Sequence, residues 1–495
     1  MSIRNLNFLF KPRSVAVIGA SNRRRSVGAT VMRNLLDGGF DGPIMPVNPR
    51  YKAVAGVLTY PDIQALPEAP ELAVIATPPA MIPQAIAALG ERGARAAVVL
   101  TAGLDKTLVQ AMLAAARPHL LRILGPNCVG LIVPGLGLNA SFAHTRALGG
   151  DIAFVSQSGG LTTVVLDWAR TNGIGFSHFI SLGDGADVDF GDVLDWLGGD
   201  PDTRAILLYI ESVRQARKFM SAARAAARNK PVLAVKAGRV PEGARAAASH
   251  TGALAGSDAV YDAAIRRAGM LRVTTVEDLF AAVQTLARAK SLSGDRLAIM
   301  TNGGGPGVMA TDALVQAGGR LAQLSDATVA ELDELLPATW SRGNPVDIIG
   351  DAPAERYVNA LEVLLEDDGS DAVLLLHVPT AIVPSGEIAE AVVEVIQEAS
   401  RNVLTCWLGG EAVAEARQCF ARAGVPTYDT PEEAVRAFLQ MGEYRRNQEQ
   451  LMETPAAGPA QSAPDRAAAR AAIDAALAAG REWLDESQAR QVLAA

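Results

Sequence analysis

Aromatic side chains and thiols are scarce in this chain of 495 residues: aromatics make up 5%, and the only cysteines are Cys128, Cys406 and Cys419. Three thiols without metal-ligand spacing exclude a cysteine-built zinc site and a disulfide framework, and they suit a reducing compartment. Positive charge is not in excess either. The formal net charge is −8, which argues against nucleic acid as the main partner. No apolar run approaches membrane-spanning length, and the opening Met-Ser-Ile-Arg-Asn-Leu-Asn has no signal-peptide apolar core. The expectation is a cytoplasmic protein that uses neither membrane nor nucleic acid and has no metal site of its own. Histidine is rare as well, at five residues, so any chemistry that needs imidazole has few candidates.

What the chain has is small and branched aliphatic residues, with a hydrophobic content of 49%, and a length that suits three domains better than one. Three times the sequence gives a strand, a glycine-bearing turn and an amphipathic helix. These are 14–18, 19–21 and 27–36, then 151–155, 156–160 and 161–171, then 296–300, 302–307 and 308–317. Further apolar strands alternate with Ala-rich helices, at 72–76, 97–100, 206–210, 232–235 and 372–376. This alternation predicts parallel sheets covered on both faces, in doubly wound α/β domains over 1–145, 146–292 and 293–447. Residues 448–495 read as a Pro- and Ala-rich linker followed by helical segments, the last starting near Trp483.

The turns carry the chemistry. Gly19-Ala-Ser-Asn-Arg-Arg-Arg-Ser-Val-Gly28 joins a strand to a helix with small residues and extra positive charge. It either presents N–H groups to a phosphate or serves packing alone. The dinucleotide spacing G-x-G-x-x-G is absent, and the second strand ends in Asn48-Pro49 where a nicotinamide site wants an acid, which counts against a dehydrogenase. Thr77-Pro78-Pro79, Thr101-Ala-Gly103 and Gly125-Pro-Asn127-Cys128 all fall at strand ends, the ligand-binding edge of such sheets. Cys128 reads as a small buried residue rather than a nucleophile. Between 244 and 258 runs Ala-Arg-Ala-Ala-Ala-Ser-His-Thr-Gly-Ala-Leu-Ala-Gly-Ser-Asp, a pliable loop around His250 that precedes a helix starting near Ser257. On its own this loop favours reading His250 as a surface histidine on a flexible linker, with a phosphoryl acceptor as the other reading.

In order, Val-Ile-Gly-Ala-Ser, Val-Asn-Pro, Thr-Ala-Gly, Gly-Pro-Asn-Cys-Val-Gly, Val-Ser-Gln-Ser-Gly-Gly, Ser-His-Thr-Gly-Ala-Leu-Ala-Gly-Ser-Asp and Asn-Pro-Val-Asp span about 6–445. That ordered set resembles the NDP-forming acyl-CoA synthetases, relatives of succinyl-CoA synthetase. The resemblance implies a CoA-binding Rossmann-like domain followed by two flavodoxin-like ligase domains. It also implies interconversion of carboxylate, CoA and NTP with acyl-CoA, NDP and phosphate through an acyl phosphate and a phosphohistidine. His250 would be the phosphorylated residue and Glu211 the carboxylate that orients it. Phosphate would meet Ser156, Gln157, Ser158, Gly159 and Gly160, with Gly303, Gly304 and Gly305 as a second cradle.

Coenzyme A would meet Gly19, Ser21, Gly28, Asn48, Pro49, Lys52, Thr77, Pro78, Thr101 and Asn127. The acid would be a short-chain carboxylate and the protein an oligomer. ATP or ADP and Mg would enter only through an ATP-grasp domain or subunit that no segment here resembles, apart from its opening helix at 483–495. The sequence departs from the family pattern at Leu104-Asp-Lys and at Asp184, where asparagine is common; both departures bear on substrate preference. Asn344–Asp347 matches a family segment or is merely a turn with a helix cap. The alternative is a CoA- or acyl-CoA-sensing regulatory module of a protein acetyltransferase, and a retained His250 weighs against it.

Overall fold

The computed structural model describes residues 3–251, 256–290, 292–453 and 465–494, apart from the side chains of 247–251. It divides into two compact units, Met1–Leu451 and Met452–Ala495. Among the described residues the larger unit has three large sheets, mainly parallel, and a short antiparallel pair, Ala53–Val54 with Val57–Leu58. The first runs Ile44–Val47, Val15–Ile18, Leu72–Ile75, Ala96–Val99, Arg122–Leu124. The third runs Arg320–Leu321, Arg296–Thr301, Ala372–His377, Asn402–Trp407, Thr427–Tyr428, with Val346–Asp347 paired to the end of Arg296–Thr301. The parallel strands of the second run Leu271–Val273, Val232–Lys236, Ala205–Ile210, Leu148–Ser156, Gly175–Ser181. Counting strands in chain order, all three sheets have the flavodoxin-like arrangement 2-1-3-4-5.

The local causes are plain. Val15–Ile18 and Leu72–Ile75 are buried along their whole length, as strands covered on both faces must be. Helix Val27–Gly38 buries Gly28, Val31, Met32 and Leu35, a three-to-four-residue spacing that puts them on one stripe. Ser26 caps its first turn by accepting from Ala29 N, and Gly39 ends it at φ 79°.

Two features join the parts of the larger unit. The antiparallel pair Gly130–Val133 and Leu138–Ser141, which comes before residue 146, adds to the edge of the second sheet through Phe179 and Ile180. Helix Pro431–Met452 follows the last strand of the third sheet, yet its Asn447 side chain donates to Met270 O and its Gln448 side chain to Gly269 O and Ala227 O. In the smaller unit, helix Arg466–Ala478 is capped by Asp465 and followed by helix Glu486–Ala494. No helix among the described residues is long and apolar enough to cross a membrane.

Around His250 the backbone departs from the expected loop: Pro241–Thr251 is a helix. Ala244, Ala246, Ala247 and Ala248 are strong helix formers, and here that preference outweighs the small-residue character read as pliability. The His250 side chain lies outside the described residues.

Candidate functional site

In a 2-1-3-4-5 sheet the chain leaves strands 1 and 3 in opposite directions, which opens a crevice at their carboxyl ends. In the first sheet that crevice begins at Gly19, which has φ +90°; a methyl group there would lie 2.8 Å from Ala76 O. A methyl on Gly28 would lie 2.1 Å from Gly19 O, so the helix start and the strand end touch through bare backbone. Asn48 ties the turn across the sheet, donating from Nδ2 to Ala20 O at 2.8 Å while its Oδ1 accepts from Arg50 N at 2.9 Å. Ser21 Oγ accepts from Arg23 N at 3.0 Å. Pro49 continues from Asn48, and Lys52 is exposed, as are Arg23, Arg24 and Arg25.

Thr101 Oγ1 donates to Thr77 O at 2.7 Å, and Asn127 N donates to Thr101 O at 3.0 Å, which locks three strand ends together. Asn127 has φ 57°, and its Nδ2 donates to Asp184 Oδ1 at 3.2 Å. Thr77 Oγ1 is buried without a hydrogen-bond partner among the described residues.

The second crevice lies between Ser156 and Glu211. Ser156 Oγ accepts from Ser158 N and donates to Ser158 O, both at 3.1 Å, folding the turn back on itself. Ser158 caps helix Gly159–Thr171 by accepting from Leu161 N, so the N–H groups of Gly159 and Gly160 head the helix. Gln157 reaches across to the end of the neighbouring strand. Its Oε1 accepts from Glu211 N at 2.7 Å and Ser212 N at 2.9 Å, bracing the strand end that carries buried Glu211. One strand further out, Lys236 is buried too, its Nζ 4.5 Å from the Tyr261 ring centroid. Burial holds this lysine below its ordinary pKa. In the sequence Lys236 directly follows the apolar run 232–235, and a charged residue closing such a run is the signal that points to it.

The third crevice repeats the second. Thr301 Oγ1 accepts from Gly303 N at 3.0 Å and donates to Gly303 O at 2.9 Å, while Asn302 reaches across to Val378, accepting from its N at 2.8 Å and donating to its O at 2.9 Å. Helix Gly304–Gln316 therefore starts four residues earlier than its glycines suggested, since a first turn tolerates them. Here no side chain caps the helix, and Asp347 Oδ2 stands 3.2 Å from where a methyl on Gly304 would lie. That carboxylate opposes an anion over Gly303, Gly304 and Gly305. Asn344 proves structural, joining Ile299 N, Leu297 O and Ala322 O.

A cavity of about 670 Å³ brings Thr77, Pro78, Thr101 and Asn127 of the first sheet to Gly159 and Gly160 of the second. Its walls include Val27 and Val129, which lie within the sequence motifs but were assigned no contact, and Leu100, Phe142 and Thr163, which no motif contains. Nothing in their local pattern separates them from ordinary core residues. Cys128 belongs to the lining, its thiol against Val99 O at 3.4 Å and pushed up to about 12 by burial. Gly19, Ser21, Asn48, Lys52 and Glu211 are outside the lining, as are the three glycines of the third crevice. Two other histidines are core residues: His178 is buried against Phe10 and Trp196, and His377 between the hydroxyls of Tyr357 and Ser385, 2.9 Å from each. Among the described residues no group of three His, Cys, Asp or Glu side chains could hold a metal ion.

Family models match in chain order: a CoA binding domain over 13–134, a succinyl-CoA ligase like flavodoxin domain over 149–286 and a ligase-CoA domain over 297–450. The chain is 41% identical over 444 residues to the ADP-forming acetate–CoA ligase I of Archaeoglobus fulgidus, a match covering 88% of this chain and 63% of that protein. It is 36% identical over 452 residues to the alpha subunit of ADP-forming acetate–CoA ligase II of Pyrococcus furiosus, covering 89% and 98%. It also superposes on the acetyl-coenzyme A synthetase 1 of Ca. Korarchaeum cryptofilum, solved with phosphate and ADP. That match has a TM-score of 0.84 and 35% identity, and covers 91% of this chain and 99% of that one. These relatives are ligases and synthetases; they give no support to the regulatory-module alternative.

Proposed function

We propose, from the premise that this chain belongs to the family of ADP-forming acetate–CoA ligases, that it transfers an acyl group between CoA and phosphate and carries the phosphoryl group on His250. The observation that supports this best is the one cavity in which Thr77, Thr101 and Asn127 face a helix N-terminus headed by two glycines. The glycine contacts at 19 and 28 and the unpartnered Thr77 hydroxyl suit a ligand laid along the first sheet's edge, as CoA would be. Phosphate sits over Gly159 and Gly160, where the helix supplies about half a positive charge.

A phosphate oxygen attacks the thioester carbonyl carbon. The C–O bond forms, the C–S bond breaks, and CoA leaves as a thiolate that takes up a proton. An imidazole nitrogen of His250 then attacks phosphorus, the bond from phosphorus to the acyl oxygen breaks, and the carboxylate leaves. Glu211 accepts a hydrogen bond from the other ring nitrogen, fixing the tautomer that attacks. His250 passes the phosphoryl group to ADP on an ATP-grasp domain or subunit, where Mg²⁺ would offset the charge of the nucleotide phosphates. Within this chain, 1–145 serves CoA, 146–292 the phosphohistidine and 293–447 the second ligase part. The acid is a short-chain carboxylate, the working protein an oligomer and its compartment the cytoplasm.

The test is to supply acetyl-CoA and radiolabelled phosphate. The chain should acquire an acid-labile, base-stable label that His250→Ala abolishes and Glu211→Gln slows without unfolding. A His250→Ala protein that labels like the wild type removes the reading.

A further inference from the structure

We propose that Phe142 is the wall that limits the acyl group in the 670 Å³ cavity, and that Asn34 is the positioning residue that holds this wall; the inference rests on the reading of that cavity as the thioester site. Phe142 lines the same cavity as Gly159 and Gly160, the phosphate position. Phe142 N donates to Val129 O at 3.1 Å, and Val129 Cγ2 is 3.3 Å from where a methyl on Gly159 would lie. A carbonyl carbon within reach of a phosphate over Gly159 therefore directs its substituent toward Val129 and Phe142.

Phe142 also has little freedom to withdraw. Its ring packs on two core clusters, one shared by the first and second sheets and one within the second. The carbonyls on either side of it, Ser141 O and Ala143 O, each accept from Asn34 Nδ2 at 2.9 Å. Asn34 belongs to helix Val27–Gly38, whose first residue lines the same cavity. Ser141 Oγ braces the turn once more, accepting from Ala143 N at 3.2 Å. One amide on the CoA-binding part thus grips the backbone around a ring on the second sheet's edge.

Among the described residues the lining carries no lysine, arginine or histidine, so an acyl group with a second carboxylate would be stripped of water without a cation from them to meet it. The substrate class is an uncharged, short acyl thioester.

The labelling reaction tests this with acetyl-, phenylacetyl- and succinyl-CoA on the wild type, Phe142→Ala, Phe142→Leu and Asn34→Ala. The wild type should favour acetyl-CoA over phenylacetyl-CoA. Phe142→Ala should narrow that ratio by about tenfold or more, and Phe142→Leu by less. Asn34→Ala should narrow it through a lower KM for phenylacetyl-CoA, with the ring still present. Succinyl-CoA should label the wild type at roughly a hundredth of the acetyl rate or below. Should Phe142→Ala fail to fold, the other two variants and the wild-type ratios still decide. Unchanged ratios in the variants, or a wild type that takes phenylacetyl- or succinyl-CoA as readily as acetyl-CoA, overturn the inference and leave the function above standing. A wild type that no acyl-CoA labels overturns both.

Discussion

Gln157 offers the sharpest separation between holding the site together and acting in it. Its amide oxygen is the acceptor for two backbone N–H groups, at Glu211 and Ser212, next to the turn that heads helix Gly159–Thr171. Gln157→Ala leaves both donors without their acceptor, at about 1–3 kcal/mol each, or roughly 2–6 kcal/mol in all. The denaturation midpoint should fall and Glu211 should lose its fixed position. Gln157→Glu keeps an acceptor, now charged, so both bonds survive and stability holds. It also sets a negative charge near the phosphate. At roughly 7 Å and an effective dielectric of about 20, each phosphate charge would then be opposed by about 2.4 kcal/mol, some tens of fold in affinity. Urea unfolding combined with the phosphate dependence of His250 labelling reads both effects. Should Gln157→Glu be as stable as the wild type and show an unchanged KM for phosphate, the location of phosphate over Gly159 and Gly160 is wrong.

Three further outcomes are expected. Gly28→Ala places a methyl 2.1 Å from Gly19 O, so the helix must move; calorimetry should show CoA affinity reduced at least about tenfold, and unchanged affinity would refute the assigned contact. Burial lowers the His377 pKa to about 4. Between about pH 6.5 and 4 the unfolded chain therefore binds a proton that the folded chain refuses. Stability should fall by up to about 3 kcal/mol as pH drops through that window, a loss that His377→Gln removes; equal acid sensitivity in both proteins would refute it. Cys128, buried and pushed up to about 12, should resist thiol reagents at pH 8 until unfolding, while half-buried Cys419 reacts first, as mass spectrometry of partly labelled protein would show.

Much of the fold was legible because its signals are local. Buried parallel strands need unbroken aliphatic runs, so 206–210 and 372–376 fell inside Ala205–Ile210 and Ala372–His377. Ser257 marked the start of helix Asp258–Arg267 through a residue preference that acts over a single turn. The flanking helix starts were harder. Glycine at 159–160 and 304–305 has poor helix propensity, yet both pairs open helices where the strand end dictates direction. What could not be read depends on long-range contact. That Gln157 braces Glu211, or that Asn34 grips the turn at Phe142, involves partners 54 and 107 residues apart. The antiparallel pair at Gly130–Val133 and Leu138–Ser141 looked like the end of the first part, because nothing in a short apolar run states which sheet it will join.

Helix Pro431–Met452 makes chain order a poor guide to how this molecule comes apart. Its Leu451 is a member of the core cluster that contains Val15, Leu131 and Ile206, and it lies so close to Gly269 that a methyl there would be 2.5 Å from Leu451 Cδ2. Loosening the last sheet therefore withdraws a plug from the first core. Melting should spread backwards along the sequence, so that residues 13–451 behave as one cooperative body. Separately expressed pieces cut between the sheets would each carry a wound the other was meant to close.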